Sequence, residues 1–363
     1  MSASRQPRCA LVMAGGTGGH IFPGLAMAEA LRARGWRVHW LGVPGSMEDR
    51  LVPPRGFAFE PVEFGGVRGK GLKTLALLPL RLTRALCQAR AVLKRVKPDV
   101  VLGLGGYITV PGGLAAKLAG VPILLHEQNS IAGMSNRWLA KLAERSFSAY
   151  PAALPGGEWI GNPLRTEFLQ QPAPAARFAG RSGPLRLLVV GGSLGAQALN
   201  QVLPLALALI PFEQRPIVTH QGGEKQIDAL RAAYAEADVQ ATLTPFIRDT
   251  AQAFADADLV IARAGASTVT ELAAIGAAAA FVPFPHAVDD HQTHNARFLV
   301  DAGAGWLLPQ SELTPERLAG LLQGLDRAEL LARAEKAHAL RQTGAVEAMV
   351  AACERLLEQK ERN

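Results

Sequence analysis

The sequence has few cysteines and few aromatic residues, and it lacks a long uninterrupted apolar segment. Its three cysteines, Cys9, Cys87 and Cys353, lie far apart and form no C-x-x-C pair. That spacing excludes a disulfide scaffold and a zinc ribbon, and it fits a reducing compartment. The longest stretch without a charged side chain, 187–212, is broken by glycines and prolines, so it predicts strand, loop and helix rather than a membrane span. We therefore expect a cytoplasmic protein whose membrane contact is peripheral.

Alanine, leucine and valine supply most of the apolar mass, because hydrophobic residues make up 49% of the 363 residues and aromatic residues 6%. Glycine (37) and proline (24) are frequent, as expected where helices pack on parallel sheets with many tight turns. Short apolar runs alternate with amphipathic stretches, which predicts βαβ units. Strands are predicted at 9–14, 37–41, 98–103, 121–125, 185–190, 215–219, 258–261 and 279–283.

The chain contains a weak internal repeat. V-M-A-G-G-T at 12–17 is matched by L-V-V-G-G-S at 188–193, and in both an apolar strand runs into a Gly-Gly-hydroxyl turn. This pattern predicts two similar doubly wound α/β domains. The stretch 165–184, rich in Pro, Ala, Gly and Arg, is predicted to be the linker between them.

Two glycine-rich loops are candidate phosphate sites, Gly15–His20 and Gly191–Ala196. Glycines allow a ligand close to the backbone, and a helix N-terminus offers N–H donors to an anion. We expect the first helix to start near Ile21 and Ser193 to serve as an N-cap or a phosphate donor. Neither loop has the glycine spacing and acidic residue of a dinucleotide fold, and the first also lacks the Lys-Ser/Thr of a P-loop. A tight strand–helix turn remains the alternative for the first loop.

Two motifs in the second half carry sugar-binding chemistry. In 263–271, Glu271 could accept hydrogen bonds from two neighbouring sugar hydroxyls, or Thr268 and Glu271 could form a capping box. In 284–295, three histidines and two aspartates allow a metal site, whereas Gln292 and Asn295 suit sugar hydroxyls. A D-x-D at 256–258 lies at the start of a strand, away from the ligand-binding edge of a parallel sheet, so we discount it as a metal–nucleotide site.

Two further motifs follow predicted strands of the first half. They are G-G-Y-I-T-V-P-G at 105–112 and H-E-Q-N at 126–129, with a satisfied core network as the alternative for the second. An acceptor hydroxyl needs a general base, and His20 at the mouth of the first loop has a side chain suited to neutral pH. Glu127 is the second candidate for that base.

A basic segment predicts contact with an anionic surface. Residues 1–164 carry 20 Lys and Arg against 9 Asp and Glu, whereas 165–363 carry 18 against 22. Nine of the basic residues lie in 68–97, where leucines are crowded and acids are absent. Cations flanking leucines favour contact with a membrane surface. A solvated helix face and a nucleic-acid-binding patch are the alternatives. The nucleic-acid patch is less favoured, because the segment has no aromatic residues for stacking on bases. The predicted membrane residues are Arg68, Lys70, Lys73, Leu75, Leu78, Arg81 and Arg84.

Six motifs occur in this order along the chain: GGTGGHIFPGLA, GLGGYITVPGG, HEQN, GNPLR, GGSLGA and GASTVTELAAIG. Together they resemble the MurG family of bacterial peptidoglycan synthesis. The resemblance implies the GT-B glycosyltransferase fold, α/β, with two Rossmann-like doubly wound parallel-sheet domains facing across a cleft. The implied domains are 1–164 with a returning C-terminal helix at about 343–363, which would bind the acceptor and face the membrane, and 165–342, which would bind UDP-GlcNAc.

The resemblance also implies an activity: inverting transfer of GlcNAc from UDP-GlcNAc to the C4 hydroxyl of MurNAc in lipid I, without a metal or cofactor. Anionic inner-membrane phospholipids and other cell-wall synthesis proteins are expected partners, nucleic acid is not, and the expected location is the cytoplasmic face of the inner membrane. A UDP-GlcNAc 2-epimerase, a nicotinamide oxidoreductase and a non-catalytic membrane module are the rival classes.

Carried over by motif, the residues implied to contact UDP-GlcNAc are Thr17, Gly18, Gly19, Asn129, Arg165, Ser193, Ile247, Ala266, Ser267, Thr268, Val269, Thr270, Glu271, Gln292 and Asn295. The residues implied on the acceptor side are Gly105, Gly106, Tyr107 and His126.

Overall fold

The computed structural model describes residues 7–66, 76–192 and 195–362. The chain divides into two compact units, one formed by Met1–Arg165 with Gln342–Asn363 and the other by Thr166–Arg341. Both units are layers of helices on an all-parallel sheet, which confirms the predicted α/β class and the pair of similar doubly wound domains.

The strands of the first unit are β1 Cys9–Met13, β2 Arg37–Gly42, β3 Ala58–Pro61, β4 Val100–Gly103, β5 Ile123–Glu127, β6 Arg145–Ser148 and β7 Glu158–Trp159. Those of the second are β8 Arg186–Val190, β9 Ile217–Gln221, β10 Thr242–Thr244, β11 Leu259–Ala262, β12 Ala279–Phe281 and β13 Gly305–Leu307. All eight strands predicted from the sequence are present, and the described residues contain five others that were missed.

The helices, in chain order, are α1 Gly18–Ala33, α2 Met47–Leu51, α3 Leu78–Val96, α4 Thr109–Leu118, α5 Met134–Leu139, α6 Thr166–Leu169, α7 Pro174–Phe178, α8 Gln197–Ala208, α9 Ile227–Glu236, α10 Thr250–Asp256, α11 Ala266–Ile275, α12 His291–Val300, α13 Pro315–Gln323, α14 Arg327–Ala339 and α15 Ala345–Arg362. Across the described ranges, none combines the length and the apolar character that crossing a membrane requires.

The two sheets share one topology. Their strand orders are β3-β2-β1-β4-β5-β6-β7 and β10-β9-β8-β11-β12-β13, so the strand order reverses at β1 in the first sheet and at β8 in the second. In open parallel sheets ligands bind beyond the carboxyl ends of the strands at this switch point. Each glycine-rich loop directly follows a switch-point strand, which places both loops where a ligand is expected.

The first sheet is covered on both faces. Alternate residues of β1 point to opposite sides: Val12 packs with α1 and α15, and Leu11 packs with α3 and α4. On the α1 side the core includes Trp40, which is fully buried and donates its indole N–H to the carbonyl of Ala14. This hydrogen bond fixes the backbone at the start of the first glycine loop.

The predicted linker 165–184 is not a linker, because its residues pack into the second unit. Phe168 and Phe178 are buried, and the Arg177 guanidinium donates to the carbonyls of Ala255, Ile275 and Gly276. A proline- and alanine-rich segment without a long apolar run predicts a loop, yet two short helices form here. They are stabilised by an arginine that satisfies carbonyls at the ends of α10 and α11.

Candidate active site

The first glycine loop forms the N-terminus of α1. The helix begins at Gly18, three residues before the predicted start, with extended Thr17 as its N-cap and no acidic residue in its first turn. Thr17 is exposed, and Gly18 and Gly19 are partly exposed. The first N–H groups of a helix lack intrahelical partners, and the helix dipole favours negative charge there. This end of α1 is therefore suited to a phosphate group.

His20 lies in that first turn and is partly exposed. Its Nδ1 is 3.0 Å from the carbonyl oxygen of Gly15. Because a carbonyl only accepts hydrogen bonds, Nδ1 carries the proton, and Nε2 of the neutral ring holds the lone pair. That tautomer is the one a general base acting through Nε2 requires.

The loop after β4 packs against the loop after β1. Gly105 and Gly106 have φ of +100° and +92°, and the Gly105 carbonyl accepts from the N–H of Gly15 at 3.2 Å. A Cβ placed on Gly105 would lie 2.9 Å from Nε2 of His20, and one on Gly106 would lie 2.5 Å from the carbonyl oxygen of Gly15. Glycine is required at both positions, and Tyr107 beside them is 40% exposed. Of the predicted acceptor-side residues, Gly105 thus lies next to the His20 ring, and Gly106 lies next to the Gly15 carbonyl that His20 contacts.

His126 is wholly buried. Its Nε2–H donates to the carbonyl of Gly161 at 2.8 Å, and its Nδ1 accepts from the side-chain amide of Gln128 at 3.0 Å. Burial lowers the pKa of His126 to about 4, so the ring is neutral at physiological pH. The side chain joins the end of β5 to the 161 loop and does not reach the surface.

Glu127 is also buried, and four N–H donors surround its carboxylate. Oε1 accepts from the backbone and side chain of Asn129, and Oε2 accepts from the backbone of Gly133 and the side chain of Asn136. A carboxylate with both oxygens engaged in this way stabilises a loop. Here it holds Asn129, the residue implied to contact GlcNAc, at the carboxyl end of β5.

Arg165 lies near α1. Its guanidinium carbon is 5.8 Å from the ring centroid of Phe22, a residue of the second turn of α1. A partly exposed cation is thus held close to the helix N-terminus, and the guanidinium and the helix dipole both stabilise a bound anion.

In the second unit, α11 starts at Ala266 with Gly265 as N-cap and no side-chain cap. The predicted capping box of Thr268 and Glu271 is therefore wrong, since Thr268 lies inside the helix. Ser267, Thr268 and Glu271 are partly exposed, whereas Ala266, Val269 and Thr270 are buried. A ligand here would meet Val269 through its backbone alone.

The other motif of this unit holds α12 and the loop before it. Asn295 is fully buried, and its side-chain amide donates to the carbonyl of Ala264, before α11. The Gln292 carbonyl oxygen accepts from the N–H of Phe284 at 2.9 Å. Among the residues that the structure describes, no three His, Cys, Asp or Glu side chains converge as metal ligands do.

Sequence reasoning missed Arg263. Its guanidinium donates to the carbonyls of Val282 and Pro283 and to the side chain of Gln310, and burial lowers its pKa from the ordinary arginine value. It ties together the carboxyl ends of β11 and β12, where the sheet presents its ligand edge. Its place two residues after a predicted strand, at the start of the 263–271 motif, was the available signal.

Five of the predicted residues lie outside the described residues: Ser193, Arg68, Lys70, Lys73 and Leu75. The N-cap of α8 is Ala196, so Ser193 is not that cap. Ile247 is partly buried in the loop between β10 and α10.

Two family models match the chain: the glycosyltransferase family 28 N-terminal domain over residues 10–148 and its C-terminal domain over residues 186–351. The chain belongs to glycosyltransferase family 28. Its family 28 domains correspond to the two sheets described above, and the chain is a glycosyltransferase of the GT-B fold.

Similar proteins cover nearly the whole chain. A protein of Paracidovorax citrulli is 69% identical over 350 residues, 96% of this chain and 99% of its own. A protein of Acidovorax sp. strain JS42 is 67% identical over 355 residues, 98% of this chain and 89% of its own. Both are named UDP-N-acetylglucosamine--N-acetylmuramyl-(pentapeptide) pyrophosphoryl-undecaprenol N-acetylglucosamine transferase. The crystal structure of Acinetobacter baumannii MurG superposes with a TM-score of 0.85 at 41% identity, covering 96% of this chain and 100% of that one.

Proposed function

We propose that this glycosyltransferase moves GlcNAc from UDP-GlcNAc to the C4 hydroxyl of MurNAc in lipid I, forming lipid II. The proposed chemistry depends on His20. Its Nε2 holds a lone pair, and it lies in the first turn of a helix whose N-terminus favours phosphate. The sugar and acceptor are supported by relatives 67–69% identical, whose names specify this transfer.

In the proposed reaction the acceptor oxygen attacks the anomeric carbon and the bond to the diphosphate breaks, with inversion. Nε2 of His20 takes the proton of the acceptor hydroxyl as that oxygen becomes nucleophilic. The N-terminus of α1 and Arg165 stabilise the charge that develops on the leaving diphosphate. Gly105, Gly106 and Tyr107 line the acceptor side of His20, and Glu127 and His126 position the loops without contacting substrate.

For the donor nucleotide we propose binding to the second unit. The Ile247 backbone would hold uracil, and the partly exposed face of α11 would hold the ribose and diphosphate through Ser267, Thr268 and Glu271. The side-chain amide nitrogen of Gln292 would donate to a sugar hydroxyl. Asn295, being buried and bonded to Ala264, would act by positioning the start of α11.

The decisive assay incubates the protein with labelled UDP-GlcNAc, with and without lipid I. Transfer of label to the lipid fraction only when lipid I is present is the expected result. Formation of an epimerised UDP-sugar without any acceptor would instead identify a 2-epimerase and overturn the proposal.

Replacing Glu271 with glutamine is expected to weaken UDP binding by about 1–3 kcal/mol, because a charged acceptor for the ribose hydroxyls becomes a neutral one. Isothermal titration calorimetry with UDP measures the loss. The melting temperature is measured alongside, so that a loss of UDP affinity is separated from a loss of stability. Glu236→Gln on an exposed part of α9 is the matched control. Unchanged UDP affinity in Glu271→Gln would contradict the ribose role.

We also propose that the first unit meets the cytoplasmic face of the inner membrane peripherally through α3. Leu77, Leu80, Arg81 and Arg84 are spaced along one side at the start of this helix and are exposed, Leu80 to 70%. Beside them is a cavity of about 430 Å³ lined by Val43, Pro44, Glu63, Phe64, Gly65, Arg81 and Arg84. Exposed leucines next to arginines suit the boundary between lipid headgroups and acyl chains. The partly buried Leu78 packs with the core instead.

Reversing the charge of Arg81 and Arg84 together is expected to weaken binding to anionic vesicles by at least about 2 kcal/mol, since each cation near such a surface contributes about 1 kcal/mol. Vesicle sedimentation at low salt measures it. The KM for the lipid-linked acceptor should rise, and that for UDP-GlcNAc should not. The control, Arg34→Glu with Arg55→Glu, makes the same charge change near the end of α1, a helix on the other face of the sheet. Equal loss in both variants would point to net charge alone.

A further inference from the structure

A buried carboxylate lies behind His20. Glu48, the second residue of α2, is 1% exposed. Its Oε2 accepts from the N–H of Gly16 at 3.1 Å, and its Oε1 accepts from the N–H of Val43 at 3.2 Å. Buried carboxylates are costly unless they are hydrogen-bonded, and here both partners are backbone groups of loops at the ligand edge of the sheet.

The hydrogen bond from Gly16 and the one to His20 share a single peptide unit. The N–H of Gly16 and the carbonyl of Gly15 belong to the same amide, and that carbonyl accepts the Nδ1–H of His20 at 3.0 Å. The order is therefore carboxylate, peptide, imidazole. Hydrogen bonds in series polarise one another, so negative charge on Glu48 makes the Gly15 carbonyl a stronger acceptor.

We propose that Glu48 is a positioning residue that fixes the orientation and tautomer of His20 through the Gly15–Gly16 peptide. A carboxylate that holds the Nδ1–H of a base directly keeps Nε2 unprotonated and aimed at the substrate hydroxyl. Glu48 does not contact the Nδ1–H of His20 directly but acts on it through the one intervening amide, the Gly15–Gly16 peptide. The catalytic consequence rests on the proposed function of His20, whereas the structural link stands on the geometry.

The local backbone is shaped for this link. Gly16 has φ of +88°, a conformation that favours glycine and that turns its N–H toward Glu48. A Cβ on Gly15 would lie 2.6 Å from Oε1 of Glu48, so only glycine lets the carboxylate approach. Two of the glycines in the loop thus serve the carboxylate, while Gly18 and Gly19 form the helix end that meets phosphate.

The first test reads the tautomer of His20 in the unaltered protein. Histidine labelled with ¹⁵N gives distinct nitrogen shifts for the two tautomers, and the His20 signals are identified by their absence from His20→Gln. In the unaltered protein His20 is expected as the Nδ1–H tautomer. Finding the Nε2–H tautomer would overturn the proposal.

The second test replaces the carboxylate. In Glu48→Gln the side-chain amide can accept from only one of the two N–H groups, so the His20 signals should shift toward a mixture of tautomers. We expect kcat to fall about 10-fold, by analogy with the loss seen when the outer hydrogen-bond partner of a metal-bound histidine is removed. The KM for UDP-GlcNAc should stay within about 2-fold, and Glu48→Asp should recover part of kcat because it keeps the charge.

The matched control is Glu60→Gln. Glu60 is a buried carboxylate of the same unit, 6% exposed and paired with His39 and Arg95. Its loss should change stability without moving the His20 signals. Equal effects of Glu48→Gln and Glu60→Gln on the tautomer and on kcat would refute the proposal.

A double variant separates the proposal from the function on which it rests. If His20 is the base, Glu48→Gln should lower kcat no further in a His20→Gln background. A shifted tautomer with unchanged kcat would support the link from Glu48 to His20 and overturn the role of His20 as base.

Discussion

Replacing His20 with alanine is expected to lower kcat by about 10²- to 10⁴-fold, the usual contribution of a positioned general base. No other side chain in the first turn of α1 can act as a base, because the turn otherwise consists of glycine and apolar side chains. Binding of UDP-GlcNAc should change little, so the loss should appear in kcat and equally in kcat/KM for the acceptor. Steady-state kinetics with both substrates varied measures this split.

His39→Ala is the control for that experiment. His39 belongs to the same unit, but its Nδ1 contacts Glu60 at 2.8 Å on β3, so turnover should be near normal. An alanine variant of His20 that retained most of its turnover would remove His20 from the mechanism. The Glu127 carboxylate would be a poor replacement, since it is buried and four N–H donors occupy its two oxygens, which leaves it closed to a substrate.

Replacing Asp258 with alanine is expected to destabilise the second unit by about 3–5 kcal/mol, the usual cost of removing one partner from a buried ion pair. Asp258 is fully buried and accepts from Arg181 at 2.6 Å, from Arg327 at 3.2 Å and from the N–H of Arg186. Without it, two guanidinium groups remain with little access to water. Urea unfolding followed by circular dichroism measures the change.

Asp256→Ala, two residues earlier, is the matched control. Asp256 is exposed and accepts from the side chain of Gln252, so its removal should change stability by less than about 0.5 kcal/mol. Equal losses for the two aspartates would show that the pairing with the arginines contributes little. The D-x-D at 256–258 is thus one exposed and one structural aspartate, consistent with discounting it as a metal–nucleotide motif.

The central strands were predictable from the sequence and the outer strands were not. The missed strands are β3, β6, β7, β10 and β13, and four of them form the edges of the two sheets. Central strands are buried on both faces and read as continuous apolar runs, whereas edge strands are short and partly exposed. R-S-F-S in β6 and T-L-T in β10 have no run to detect.

For the candidate site, sequence patterns indicated which loops form it but not which of their residues are accessible to a ligand and which are buried. The glycine loop, H-E-Q-N and α11 all lie at carboxyl ends of strands, as predicted. What spacing could not show is burial: His126, Glu127 and Asn295 face inward, while His20 and Glu271 remain accessible. Glu48 was missed because S-M-E-D at 46–49 resembles an ordinary helix start, and Ser46 does cap α2.

The packing of α15 on α1 has a consequence for synthesis on the ribosome. Met349, Val350 and Cys353 of α15 complete the core on the α1 face of the first sheet, yet they follow the whole second unit in the chain. At about 5–20 residues per second, the ribosome needs about 10 to 35 s to make that unit. During this time the α1 face of the nascent first unit stays uncovered. The second unit is continuous in sequence, so it can finish folding while the first still awaits its outer layer.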